Sequence, residues 1–189
     1  ELHSQELMDV FNLETKLFPC LVDMRFKGVR VDLEHAANLK KNLIVRENKI
    51  LNKIKELTGI NVEIHAARSI AKAFDKLKLP YDRTEKSNEP SFTKNFLQNH
   101  PHELARSIAD AREINKAHTT FIDSITKHSA KGRIHADINQ IRSDQGGTVT
   151  GRFSMSNPNL QQIPARHPEI GPMIRSIFIP EEKTVWGSF

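Results

Sequence analysis

Residues 150–166 read TGRFSMSNPNLQQIPAR, a polar segment that contains one glycine and two prolines. Pro158 and Pro164 fix the backbone φ angle and lack an N–H group, so the segment is predicted to be extended or turning rather than helical. Several of its side chains carry hydrogen-bond donors. They are Arg152, Asn159, Gln161, Gln162 and Arg166. The segment is therefore a candidate surface for a ligand rich in acceptors.

A nucleic-acid duplex is such a ligand. Every base pair presents acceptors in the minor groove, at purine N3 and pyrimidine O2, so donors placed there test the geometry of a pair without reading its sequence. A second interpretation stays open from the residues alone. Asn157 and Asn159 are also common turn formers beside a proline such as Pro158, and glutamines are common on surfaces.

The amino-acid composition is compatible with a nucleic-acid partner but does not require one. The chain has 189 residues, a formal net charge of +5 and 38% hydrophobic residues, which is typical of a globular protein of one or two domains. Cys20 is the only cysteine, which excludes a disulfide framework and a multi-cysteine zinc site. The sequence shows no signal peptide and no apolar run of transmembrane length, so we expect no membrane partner and a cytoplasmic location.

Helical periodicity dominates the first half. Apolar residues recur at spacings of three and four between about residues 5 and 25, which predicts an amphipathic helix that ends at Gly28. Asp32 is a predicted N-cap for a long helix that ends near Thr58. Many lysines lie on this second helix, and they fit either a solvated face or a surface that follows phosphates.

A second long helix is predicted further on. Short helices are expected at 66–77 and 93–99, with a mobile polar loop at 82–91 between them. Pro101 is predicted to open the long helix, which continues to about Lys127. The two long helices suggest an antiparallel hairpin with a decorated tip, and short strands are expected after Gly132.

Other candidate motifs in the sequence lack the residue types that their chemistry requires. Residues 147–152 resemble a phosphate loop but lack its lysine and its Ser or Thr. His100 and His102 flank a proline without a carboxylate or cysteine cluster, so no metal site is predicted there. Ser154 and Ser156 have no spaced His and Asp partners that would indicate a nucleophile.

Residues 150–164 closely resemble the T-G-R-[LF]-S-x-x-x-P-N-L-Q-N-I-P signature of family A DNA polymerases, the bacterial polymerase I group with many bacteriophage members. Residues 24–32 are similar to the family's entry to the thumb. Residues 112–123 resemble its thumb helix, and residues 132–135 and 175–178 resemble palm segments. The longer stretch between His135 and Gly151, together with Gln161 and Gln162, favours a phage-type branch.

The resemblance implies roles for individual residues. Arg152 matches the arginine that reaches the minor groove at the primer terminus. Asn159, Gln161 and Arg166 match positions that engage the duplex or template, and Gln162 replaces a more common asparagine. The remaining DNA-binding candidates lie on the thumb helix. They are Arg112, Lys116, Thr119 and Thr120.

The resemblance also implies an architecture. We expect a mainly α fold with a small β part (α+β), with residues 1–31 as the entry helix, 32–130 as the thumb hairpin with a helical tip, and 131–189 as the start of the palm. The chain is expected to stop before the first metal-binding aspartate and to be inactive alone. Mg²⁺ and deoxynucleoside triphosphates would then serve only the complete enzyme, which would act as a monomer on primer-template DNA.

The sequence leaves two alternatives open. A stand-alone helical module that binds nucleic acid without catalysis would explain the basic helices. A template-directed RNA polymerase is a nearer rival to the DNA polymerase, although the thumb resemblance disfavours it.

Overall fold

The computed structural model describes residues 4–142, 146–165 and 167–187. The chain divides into two compact units, one of Glu1–Ala36 with Phe121–Phe189 and one of Ala37–Thr120. Helices dominate both units and the strands are short, so the predicted α+β class is confirmed. None of the described helices is long and apolar enough to cross a membrane.

Helices and strands alternate unevenly along the chain. The helices are α1 (Met8–Lys27), α2 (Leu33–Thr58), α3 (Ala67–Lys76), α4 (Lys94–Asn99), α5 (Glu103–Lys116), a π-helix (Ala117–Ile122), α6 (Asp123–Lys127), a 3₁₀ turn (Leu160–Gln162) and α7 (Ile170–Arg175). The strands are β1 (Val29–Arg30), β2 (Asp82–Arg83), β3 (Pro90–Ser91), β4 (Ser129–Ala130), β5 (Arg133–Ile134), β6 (Asp137–Asn139) and β7 (Ser154–Ser156).

Helix α1 forms where its periodicity predicts it, yet most of its apolar side chains are exposed. Leu21 is buried, whereas Phe11, Leu13 and Phe18 keep 48%, 64% and 60% of their surface. The helix ends at Gly28, whose φ of 64° lies in the left-handed region that favours glycine. A Cβ atom there would also lie 2.6 Å from the carbonyl oxygen of Ile134, so glycine is required on two grounds.

Helix α2 begins as its sequence indicates. The Asp32 carboxylate accepts a hydrogen bond of 2.8 Å from the backbone N–H of His35, which satisfies one of the donors left open at a helix start. At the other end Gly59 adopts a φ of 67° and its N–H donates to the carbonyl of Lys55. The Asp32 cap and Gly59 each act within one turn of a helix end, so both ends of α2 are marked by nearby residues.

The unit of residues 37–120 is built around a helical hairpin. Glu47 of α2 contacts His118, and Lys53, further along α2, pairs with Glu103 at the other end of the partner helix. The two helices are therefore antiparallel, as predicted. Phe74 of α3 is fully buried in a core cluster that also contains residues of both long helices, and its ring centroid lies 4.9 Å from that of Phe92.

Two details of this unit differ from the sequence-based prediction. The sequence predicts a loop at residues 82–91, but β2 and β3 pair there as an antiparallel hairpin with Asp82 opposite Ser91. Pro101 is the predicted start of the second long helix, but α5 begins at Glu103, where the ring Nδ1 of His102 accepts a hydrogen bond from the N–H of Leu104. A histidine cap replaces the proline as the start signal.

The other unit carries the remaining strands. β5 lies between β1 and β4 in a three-stranded antiparallel sheet. β6 pairs with β7 in a separate antiparallel ladder, with Asp137 opposite Ser156 and Asn139 opposite Ser154. The strand pattern expected after Gly132 therefore forms two strands, β5 and β6, and β6 pairs with residues 154–156 of the donor-rich segment.

Candidate nucleic-acid interface

The segment of residues 150–165 consists of a short strand, a turn and a single 3₁₀ turn. Its first part extends into β7, and the chain then turns at a cis peptide bond between Asn157 and Pro158. The Asn159 side chain accepts a hydrogen bond of 3.1 Å from the N–H of Gln161, which caps a single 3₁₀ turn. The loop is extended and turning, as its prolines predict.

Four of the five predicted donors of this loop are described, and all four are exposed: Arg152, Asn159, Gln161 and Gln162. The side chains of Arg152 and Gln162 make no hydrogen bond or ion pair with any residue that the structure describes. Gln161 uses its amide nitrogen to donate to the carbonyl of Phe153 at 3.0 Å. Arg166, the fifth, lies outside the described residues.

The turn is held by a carboxylate that the sequence did not single out. Asn157 donates from Nδ2 to Oδ2 of Asp137 at 2.9 Å. The other carboxylate oxygen, Oδ1, lies 2.5 Å from Nη2 of Arg25 on α1. In the sequence, Asp137 is recognisable only as a polar position in an alternating strand pattern. Arg25 is recognisable only as a residue near the end of a helix. The strand register that joins Asp137 to the turn is a long-range property.

The predicted thumb candidates lie around the π-helix. Lys116, Thr119 and Thr120 are exposed. The Thr119 hydroxyl donates to the carbonyl of Asn115 at 2.8 Å, and the wider π turn presents the two threonines side by side. This surface offers hydroxyl groups next to a cation, which suits contact with a phosphate backbone.

Beneath this turn lies a buried polar network. The carboxylate of Glu47 accepts from the amide of Asn115 at 2.9 Å and lies 2.5 Å from Nε2 of His118. His118 and Glu47 are 6% and 8% exposed. The amide oxygen of Asn115 is in turn 3.1 Å from the ring Nε2 of His65. The network fixes the backbone from which Thr119 projects.

Arg112 is placed differently from the other candidates. It is half-buried, and its guanidinium donates to the carbonyls of Ile64 at 2.6 Å and of Phe92 at 2.8 Å. Burial lowers the pKa of Arg112 below its ordinary value. These bonds tie α5 to the chain before α3 and to the chain after β3. The structure therefore shows a bracing role for Arg112, and its contact with DNA stays a prediction.

Histidine and carboxylate side chains are the natural candidates for metal ligands. The rings of His100 and His102 each accept a backbone N–H, from His102 and Leu104 respectively. Over residues 4–142, 146–165 and 167–187, no three His, Cys, Asp or Glu side chains group closely enough to hold a metal ion.

Comparison with known sequences identifies the family. The sequence profile of DNA polymerase family A matches residues 33–188. The chain therefore belongs to DNA polymerase family A. Its relatives include both phage and bacterial enzymes, which supports the polymerase over the stand-alone module.

Three relatives illustrate the match. A DNA-directed DNA polymerase of Pseudomonas phage M6 is 33% identical over 198 residues, which cover 100% of this chain and 30% of the phage protein. DNA polymerase I of Geobacillus stearothermophilus is 32% identical and is matched over 90% of this chain and 19% of its own length. The POL domain of Pol1 from M. smegmatis, solved in complex with DNA primer-template and dNTP, has a TM-score of 0.77 and 25% identity over 94% of this chain and 32% of that structure. The chain thus spans about a third or less of the proteins that it matches.

Proposed function

We propose that the protein to which this chain belongs is a DNA-templated DNA polymerase, and that this chain contributes surfaces that hold the primer-template duplex. The observation that carries the proposal is the exposed Arg152. Its guanidinium has no partner among the described residues, within a loop whose signature is that of the family. Water solvates this exposed guanidinium, so its planar fork of five donors remains available to a ligand.

The loop would act on the minor groove. Arg152, Asn159, Gln161 and Gln162 would donate to acceptors that all correct base pairs share, and Arg166 would extend the contact along the template. Each good hydrogen bond contributes on the order of 1 kcal/mol. Because the acceptors occupy equivalent positions in every correct pair, the loop would accept any sequence and disfavour a distorted pair.

The helical hairpin would act on the backbone. Lys116 supplies charge and the Thr120 hydroxyl can donate to a phosphate oxygen, whereas the Thr119 hydroxyl would first have to release the carbonyl of Asn115. Arg112 would contribute chiefly by bracing this helix through its two carbonyl contacts. Residues 32–130 would then serve as the thumb, residues 1–31 as its entry and residues 131–189 as the start of the palm.

The proposal extends to the partners of the complete enzyme. Nucleotidyl transfer in this family uses divalent metal ions, and we propose that the ion is Mg²⁺. Deoxynucleoside triphosphates would be substrates only of the complete enzyme. We propose that it acts as a monomer in the cytoplasm of a bacterial or phage-infected cell.

Primer extension tests the proposal. The complete protein should lengthen a labelled DNA primer by one nucleotide when given only the triphosphate complementary to the next template base. Two controls are needed, an unprimed template and an RNA template of the same sequence. Failure to extend the DNA primer, or preferential use of the RNA template, would overturn the proposed function.

A further inference from the structure

We propose that Asp137 is a positioning residue that orients the donors of residues 157–162 by linking their turn to helix α1. This inference rests on the proposed function for its catalytic consequence, while its structural part concerns only this chain. Asp137 itself is not placed against a base or a phosphate. It acts through Asn157.

The geometry assigns one task to each carboxylate oxygen of Asp137. Oδ2 accepts from the Asn157 amide at 2.9 Å, and Oδ1 pairs with Arg25 at 2.5 Å. A carboxylate has two acceptor oxygens and no donor, so it can serve both partners at once. An asparagine would replace one oxygen with an NH₂ group and would lose one of the two contacts.

Asn157 transmits this constraint to the donors. It adopts a φ of 52°, a left-handed conformation that asparagine tolerates better than most residues. Two residues later the Asn159 side chain caps the 3₁₀ turn, and Gln161 in that turn reaches back to the carbonyl of Phe153. The turn at Asn157 therefore sets the direction in which the following carboxamides leave the backbone.

Strand β6 is fastened to α1 on both sides of Asp137. His135, which precedes β6, donates from its ring Nδ1 to the carbonyl of Arg25 at 2.9 Å. Gln140, which follows β6, donates to the carbonyl of Glu14 at 2.9 Å and also contacts the Glu14 carboxylate. The position of Asp137 relative to α1 is thus fixed by the backbone as well as by the ion pair.

Solvent exposure distinguishes positioning from stabilisation. The side chains of Arg25 and Asp137 are 60% and 32% exposed. Ion pairs this exposed contribute little to global stability, because water screens the charges and ordering two side chains costs entropy. We therefore expect the loss of Asp137 to loosen the loop without unfolding the protein.

Two variants remove the link from opposite ends. Asp137→Ala removes both acceptor oxygens, and Asn157→Gly removes the amide donor while keeping a residue that accepts the positive φ. The matched control is Glu181→Ala, which deletes another partly exposed ion pair, that of Glu181 with Arg133 at 2.8 Å. All three are made in the complete protein, and their melting temperatures are compared first.

Hydrogen exchange of the backbone amides of Gln161, Gln162 and Ile163 is the primary readout. Both variants should raise these exchange rates by about five- to tenfold, the factor expected when one partly solvent-exposed hydrogen bond of ordinary strength no longer restrains a local opening. Glu181→Ala should leave them unchanged. Unchanged exchange in the Asp137 variant, or an equal rise in the control, would overturn the inference.

Extension from a matched and from a mismatched primer terminus is the second readout. The ratio of the two single-turnover rates should fall by about fivefold in both variants, since misdirected donors no longer favour regular pair geometry. Duplex affinity should stay within about twofold, because phosphate contacts dominate it. A wild-type protein that extends neither primer defeats the proposed function, whereas variants that keep the wild-type ratio defeat the positioning role.

Discussion

The Nε2 atom of His118 lies 2.5 Å from Oε2 of Glu47, and both side chains are buried. The second oxygen of Glu47 accepts from Asn115, one turn before the exposed Thr119. A buried carboxylate is costly unless each oxygen has a partner, and in this network each has one. The contact joins α2 to the start of the π-helix and fixes the turn that presents the two threonines.

The first prediction concerns this network. Glu47→Ala leaves the amide of Asn115 and the ring of His118 without their acceptor, so the free energy of unfolding should fall by about 1–3 kcal/mol. Urea denaturation followed by circular dichroism measures it. Glu56→Ala, an exposed glutamate on the same helix, is the control and should change stability by less than about 0.5 kcal/mol. Equal losses in the two variants would show that the network does not stabilise the unit.

The second prediction concerns Arg152. In the complete protein, Arg152→Ala should slow nucleotide incorporation by about tenfold or more, while duplex affinity changes much less, because a hydrogen bond from a charged donor contributes about 1.5–3 kcal/mol. Arg152→Lys keeps the charge but loses the planar fork, so it should remain slow. Rapid-quench kinetics and fluorescence anisotropy separate the two quantities. An incorporation rate that survives both substitutions would remove Arg152 from the proposed role.

The third prediction concerns the salt dependence of DNA binding. The 189-residue chain should bind duplexes of different sequence with similar affinity, and log affinity should fall against log salt with a slope of about 0.9 per phosphate contact. Lys116→Ala should reduce that slope by about 0.9. Lys86→Ala, in the β2–β3 turn, is the charge-matched control and should leave the slope unchanged. Sequence-specific or salt-independent binding would contradict the proposal.

The fourth prediction concerns the ion pair between Lys53 and Glu103. The hydrogen bond from Lys53, followed by its charge, holds the pKa of Glu103 below the ordinary value of 4.5. Because the folded pKa is the lower one, any stability from this pair is present above pH 4.5 and is lost as the pH falls through the folded pKa. In Lys53→Ala the pKa of Glu103 should rise toward 4.5, as measured by carbon-13 NMR titration of the carboxyl group. An unchanged pKa would show that the pair does not form in solution.

Local chemistry explains which parts of the fold the sequence could predict. The Asp32 cap and the glycines at 28 and 59 act within one helical turn, so they mark the ends of α1 and α2 without knowledge of the rest. The apolar spacing of Leu39, Leu43 and Ile54 places all three in the interior, where they are buried. The α+β class and the antiparallel hairpin follow from these signals.

Long-range contacts explain what the sequence could not predict. Asp137 and Asn157 are 20 positions apart, and only the β6–β7 register brings them together. The donors of Arg112 go to carbonyls 48 and 20 positions away, which no motif in the sequence records. The loop is recognisable in the sequence as a run of hydrogen-bond donors because its side chains are exposed and polar. The contacts that orient the loop are not recognisable there.

The π-helix at Ala117–Ile122 affects where the chain can lose a residue without disturbing the helices beside it. An α-helix advances about 100° per residue, so deleting one residue from its middle rotates everything beyond the deletion onto a different face. A π turn already contains one residue more than an α turn requires. Loss of a single residue between His118 and Phe121 would tighten the turn to an α-helix and would keep α6 continuous with α5. Single-residue deletions among relatives of this chain are therefore expected to be tolerated in this turn sooner than in either helix beside it.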